Sequence, residues 1–136
     1  MSEEQKPGSI GWTDLTVPNA DALRDFYSAV AGWQAEALDM GGYSDYVMKA
    51  PDGTPVAGIC HARGSNANLP PRWLVYIVVE DLDSSLAQCQ QLGGKIIAGP
   101  KGESPNPRYA IIEDPSGAPS ALYQPAAKPT QASGAS

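Results

Sequence analysis

The chain contains the same unit twice, and that duplication limits what it can fold into. Pro51-Asp52-Gly53-Thr54-Pro55-Val56-Ala57 matches Pro115-Ser116-Gly117-Ala118-Pro119-Ser120-Ala121 at a constant offset of 64. Upstream of each copy a strand-like run (residues 10–17, then 73–79) leads into a helix-like run (19–32, then 81–93). With 136 residues to share, two units of this size form one domain rather than two independent cores.

Periodicity gives the order of elements within each unit. After Asn19, a candidate N-cap, Leu23, Phe26, Tyr27 and Val30 recur at helical spacing until Gly32 ends the run. Leu82, Leu86, Cys89 and Leu92 do the same after Asp81 or Asp83, ahead of Gly93-Gly94. Three short strand-like stretches follow each helix, near residues 34–38, 43–50 and 55–62 and then 95–98, 109–113 and 118–124. Asp52-Gly53 and Ser116-Gly117 mark the hairpins. Each unit is therefore predicted to be β-α-β-β-β. The predicted organisation is a polar tail (1–7), one domain (8–125) and a second tail (126–136). The domain divides into module one (8–62), a Gly, Ser, Asn and Pro-rich linker (63–71) and module two (72–125).

Composition removes several function classes. A formal charge of −6 with only 9 Lys and Arg gives no footprint for nucleic acid or for anionic membrane surfaces. No apolar stretch approaches the roughly 20 residues of a membrane span, and the first residues are polar, so a cytoplasmic location is expected. Two cysteines, Cys60 and Cys89, are too few for a disulfide framework and are read as free thiols.

Asp25-Phe26-Tyr27 with Gly32-Trp33, the run Val78-Val79-Glu80-Asp81-Leu82-Asp83, and Glu113-Asp114-Pro115-Ser116-Gly117 follow one another in an order that is fairly specific. On these residues the chain resembles the vicinal oxygen chelate superfamily of glyoxalases, bleomycin-resistance proteins and extradiol dioxygenases. The resemblance implies an α+β fold of two tandem β-α-β-β-β modules, their sheets curled into a cup with the helices outside. It also implies a small-molecule ligand in the cup and a homodimer.

Metal-dependent members of that superfamily carry one ligand in the first strand and one in the last strand of each module. Here the matching positions hold Trp12, Ala57, Leu74 and Ala121, none of which offers a side-chain lone pair to a divalent ion. With a single histidine in the chain, no two-histidine site can form in one protomer. No metal and no other cofactor is expected.

Strand alternation then assigns faces. In the first strand Leu15 and Val17 go with the helix, leaving Trp12, Asp14 and Thr16 on the other face. In the strand after the linker Val75, Ile77 and Val79 go with the helix, leaving Leu74, Tyr76 and Val78. In the closing strands, counted from the turns, Ala57, Ile59, His61, Ala121 and Tyr123 face inward while Cys60 and Leu122 face the helices. Trp33 and Phe26 are read as packing residues. The predicted binding residues are Trp12, Asp14, His61, Tyr76 and Tyr123; of these Trp12, Tyr76 and Tyr123 offer ring faces with polar tips suited to a planar or partly apolar small molecule. Asp14 and His61 are also the candidate catalytic pair, a carboxylate orienting a general base. Three readings stay open: a metal-independent binding protein, a lyase, isomerase or dioxygenase-type enzyme with a displaced site at Asp14 and His61, and a drug-sequestering protein.

Overall fold

The computed structural model describes residues 6–64 and 67–127. The remainder of the two expected tails, and residues 65 and 66 of the expected linker, lie outside the described residues. The elements run β1 (Ile10–Val17), α1 (Ala20–Ala31), β2 (Gln34–Asp39), β3 (Ser44–Lys49), β4 (Pro55–His61), β5 (Trp73–Val78), α2 (Leu82–Gln91), β6 (Lys95–Lys101), β7 (Arg108–Glu113) and β8 (Pro119–Gln124). This is the expected mixed α+β composition, β-α-β-β-β written twice.

The chain forms two compact units. One comprises residues 12–75; the other joins the described residues up to Gly11 to those from Tyr76 onward. In the second, Gly8 N–H donates to Val78 C=O and Val78 N–H to Ser9 C=O, at 2.7 and 2.8 Å.

In the first unit the strand order is β2-β3-β4-β1, with β4 and β1 parallel and the other pairs antiparallel. Leu15, Val17, Ala20, Tyr46, Met48 and Ile59 form its buried core, and Leu23, Tyr27, Trp33 and Trp73 pack against them. Trp73 donates its indole N–H to Tyr27 Oη at 3.1 Å, and its ring meets Tyr27 and Trp33 edge-on. The helix stops at Gly32, whose φ of 74° lies in the left-handed region that a side chain disfavours.

In the second unit the order is β5-β8-β7-β6, again with the β5–β8 pair parallel. Leu82, Leu86, Ala110 and Leu122 form the core with Ile77, Val79, Ile96 and Ile112 around them. Asp81 caps α2 by accepting the Ser84 N–H, and Gln124 Oε1 accepts the Leu82 N–H at 2.7 Å. Among the described residues no helix is long and apolar enough to cross a membrane.

Two sequence expectations fail. Phe26 is not a packing residue: it is 52% exposed on the outer side of α1. The larger correction concerns β4. Leu15 pairs with Ile59 and Val17 with His61 in the β1–β4 register, which puts Ile59 and His61 on the helix-facing side. Asp14 pairs with Gly58 and Thr16 with Cys60, so Cys60 shares the helix-free face. The cause is an irregularity between Met48 and Lys49. Met48 pairs with Ala57 but Lys49 with Pro55, leaving Val56 as an extra residue. In β8 the equivalent pairs, Ile112 with Ser120 and Glu113 with Pro119, run without interruption. One extra residue reverses the facing of every side chain beyond it. The offset of 64 that holds through the turns thus becomes 63 in the closing strands, where Ile59 corresponds to Leu122 and Gly58 to Ala121.

Candidate functional site

The helix-free face of the first unit is polar at its centre. Trp12, Asp14 and Thr16 reach it from β1, and Gly58 and Cys60 from β4. Trp12 donates its indole N–H to Asp14 Oδ1 at 2.8 Å, and the Cys60 thiol lies 3.7 Å from Asp14 Oδ2. Gly58 makes the arrangement possible: a Cβ there would collide with Asp14 Oδ1 and come within 3.3 Å of Trp12 Nε1. Asp14 therefore lies folded over its neighbour strand in space that a side chain at position 58 would otherwise take.

This environment changes the acidity of both groups. Burial pushes the Asp14 carboxyl up from 3.8 to about 6; the hydrogen bonds from Trp12 and Cys60 pull the other way, and the Asp45 charge adds a smaller upward push. Burial pushes the Cys60 thiol far up as well, reinforced by the negative charges of Asp14 and Asp45. Cys60 is a free thiol held in its unreactive form.

His61 is not brought to Asp14. Its backbone N–H donates to Asp45 Oδ1 at 2.8 Å, its ring Nδ1 lies 3.3 Å from the same oxygen, and Nε2 lies 3.6 Å from Asp21 Oδ1 in the first turn of α1. Asp21 in turn accepts the Tyr46 hydroxyl at 2.5 Å, and Arg24 donates to that hydroxyl at 2.9 Å. In the second unit Gln124, at the corresponding end of β8, bonds the start of α2. His61 and Gln124 each tie a closing strand to the helix of their own unit.

Tyr76 and Tyr123 lie on the helix-free face of the second unit, since Ile77 and Leu122 between them pack with α2. Tyr109 joins them, paired with Tyr123 across the strands and 6.2 Å from the Tyr76 ring. Sequence reasoning missed Tyr109, although Ala110 and Ile112 on either side of Ile111 mark the helix-facing parity that places it. It also missed Asp45, whose position opposite Cys60 follows only from the β3–β4 register.

The positions at which the superfamily resemblance implies metal ligands do not fit a divalent ion. With the β4 register corrected, Gly58 replaces Ala57 in that set, and Trp12, Gly58, Leu74 and Ala121 provide no side-chain lone pair of the kind such ions bind. Among the described residues no three His, Cys, Asp or Glu side chains are grouped to hold a metal ion.

Comparison with known proteins agrees with this architecture. Residues 9–120 match the model of the Glyoxalase/Bleomycin resistance protein/Dioxygenase superfamily. The anthracycline biosynthesis protein DnrV of Streptomyces peucetius is 36% identical over 112 residues, covering 82% of this chain and 40% of DnrV. The chain spans about half the length of the curated relatives it matches, from 40% to 47%. Among solved structures, a glyoxalase/bleomycin resistance protein/dioxygenase superfamily member from Vibrio splendidus superposes with a TM-score of 0.55 at 13% identity, covering 83% of this chain and 95% of that one. A methylmalonyl-CoA epimerase variant from Streptomyces coelicolor superposes with a TM-score of 0.52 at 17% identity, covering 90% of this chain and all of that one. At these identities the two structures speak for the fold alone. Fold, internal duplication and family match agree: the chain belongs to the Glyoxalase/Bleomycin resistance protein/Dioxygenase superfamily.

Proposed function

We propose that this protein binds a planar, partly apolar organic molecule on the helix-free face of its first unit, with Trp12 as the ring surface and Asp14 as the polar anchor, and without a catalytic metal. The observation that carries this reading is the Trp12–Asp14 pair over Gly58. A polarised indole and a largely buried carboxyl sit side by side, and among the described residues the side-chain donor at Oδ2 is the Cys60 thiol. A thiol is a weak donor, so a ligand hydroxyl or amine gains more at that oxygen. The ligand class is a fused-ring aromatic bearing hydroxyl groups, in keeping with the anthracycline biosynthesis relative. Tyr76, Tyr109 and Tyr123 form a second aromatic face suited to the same chemistry. We place the protein in the cytoplasm.

Isothermal titration with an anthracycline as probe tests the reading. Saturable binding that weakens about tenfold or more in Trp12→Ala supports it, on the scale of one lost ring-stacking partner. Equal affinity in both proteins refutes it. A parallel titration with manganese, nickel, zinc and ferrous ions is expected to show no stoichiometric site.

One observation favours an enzymatic alternative. A carboxyl near 6 exchanges a proton readily at neutral pH, as a general acid or base does. In that reading Asp14 acts without His61, and Asp14→Asn abolishes turnover while retaining ligand.

A further inference from the structure

We infer that the Cys60 thiol is a two-position donor that governs access to Asp14: its hydrogen serves Asp14 Oδ2 in the free protein and turns to Asp45 when a ligand hydroxyl or amine takes that oxygen. The inference rests on the binding reading given above and adds a specificity-determining residue to the same site.

Cys60 stands between two carboxylates. On the β1 side its sulfur lies 3.7 Å from Asp14 Oδ2. On the β3 side Asp45 is opposite Cys60 in the strand register and is the thiol's second hydrogen-bonding neighbour. A thiol carries one hydrogen, which turns about the Cβ–Sγ bond, so it serves one carboxylate at a time. Asp45 is buried and fixed in place: its Oδ1 accepts the His61 backbone N–H at 2.8 Å and lies 3.3 Å from the ring Nδ1. The backbone bond holds Asp45 whatever side chain stands at position 61. Burial and the two negative charges keep the thiol protonated, so the donor is always present.

The choice of sulfur decides what the site admits. A serine hydroxyl at this position would form a short, charge-assisted bond to Asp14 and hold it against a competing ligand. A thiol is a weak donor: it satisfies the carboxylate while the site is empty and gives it up at little cost. Asp45 takes the displaced hydrogen, so the exchange leaves no buried donor stranded. Molecules that bring a hydrogen-bond donor to Oδ2 are therefore selected. Analogues that present a methoxy or carbonyl group there are rejected, because an ionised carboxylate offers only lone pairs.

The test compares wild type, Cys60→Ser and Cys60→Ala by isothermal titration with the anthracycline probe, at a pH above the Asp14 value of about 6. The serine variant is expected to bind about tenfold or more weakly than either of the others, the gap between a weak and a charge-assisted donor. A side chain that only fills space gives the opposite order, since serine is the closer match in size. That order, or equal affinities, overturns the inference. The infrared S–H stretching band tests the two acceptors without any ligand, in a Cys89→Ala background that leaves Cys60 as the only thiol. In Asp14→Ala the band is expected to stay in the hydrogen-bonded range, and to move toward the free-thiol position only when Asp45→Asn is added. A free-thiol band in Asp14→Ala alone overturns the inference, with circular dichroism confirming that each variant is folded. No binding to the wild type refutes the binding reading and this inference with it, whereas binding with the wrong order of serine and alanine refutes this inference alone.

Discussion

Trp12 and Asp14 lie two residues apart on one strand and join through an indole N–H to Oδ1 hydrogen bond of 2.8 Å. Neighbours at this spacing point to the same face of a strand, but their side chains ordinarily run parallel. Here Gly58 on the adjacent strand leaves room for the carboxylate to lie across the sheet. The bond orients Asp14 in surroundings dry enough to push its carboxyl up to about 6, while the residue keeps part of its surface exposed.

The raised Asp14 carboxyl makes stability depend on pH with a defined sign. Between 3.8 and about 6 the folded protein holds a proton that the unfolded chain has lost, so stability falls as pH rises through this window and is level above it. After discounting for solvent screening, the loss is about 2 kcal/mol. Asp14→Asn removes the ionisation and keeps an acceptor for Trp12. Urea unfolding should find this variant more stable than wild type at neutral pH, with the difference vanishing toward the acid end of the window.

Gly58→Ala should be destabilising by about 1 to 3 kcal/mol, the usual effect of forcing a methyl group into filled space. The clash is with Asp14 itself, so the same substitution in an Asp14→Ala background should be nearly neutral. A double-mutant cycle measures the coupling directly. Equal effects in both backgrounds would place the clash elsewhere.

His61, whose place in β4 faces away from Asp14, bonds Asp45 and reaches the first turn of α1. His61→Ala should lower stability by about 1 kcal/mol, the worth of a net hydrogen bond. Affinity for the aromatic probe should stay within twofold of wild type, whereas Asp14→Ala should weaken it clearly. Calorimetry on the two variants side by side separates the roles.

Cys60 should react slowly with alkylating reagents, because burial and two carboxylates disfavour its thiolate. Asp14→Asn removes one of those charges and should speed the reaction. Mass-spectrometric rates for Cys60 in the two proteins check the sign.

Much of this arrangement is legible from side-chain alternation. Leu15 and Val17, or Ile77 and Val79, are apolar residues two apart, and each pair does pack toward a helix. Alternation failed in β4 because its bulge has no sequence signature. Pro55-Val56-Ala57 and Pro119-Ser120-Ala121 follow similar Gly-containing turns, and Gly53 and Gly117 share a φ of 91°. Only the pairing with β3 reveals that Val56 is supernumerary. One residue of slip was enough to put His61 beside Asp14 in the reading of the sequence and Cys60 beside it in the structure. Phe26 was misassigned for a different reason. Helical spacing identifies apolar stripes but does not say which of two stripes faces the sheet. Leu23 and Tyr27 pack inward, and Phe26 and Val30 lie outside.

The most direct measurement is the carbon-13 resonance of the Asp14 side-chain carboxyl, followed through a pH titration with and without the anthracycline probe. A titration midpoint near 6 in the free protein, displaced on adding the probe, is the predicted result. A midpoint in the ordinary aspartate range that ignores the probe would contradict the assignment of this face as the binding site.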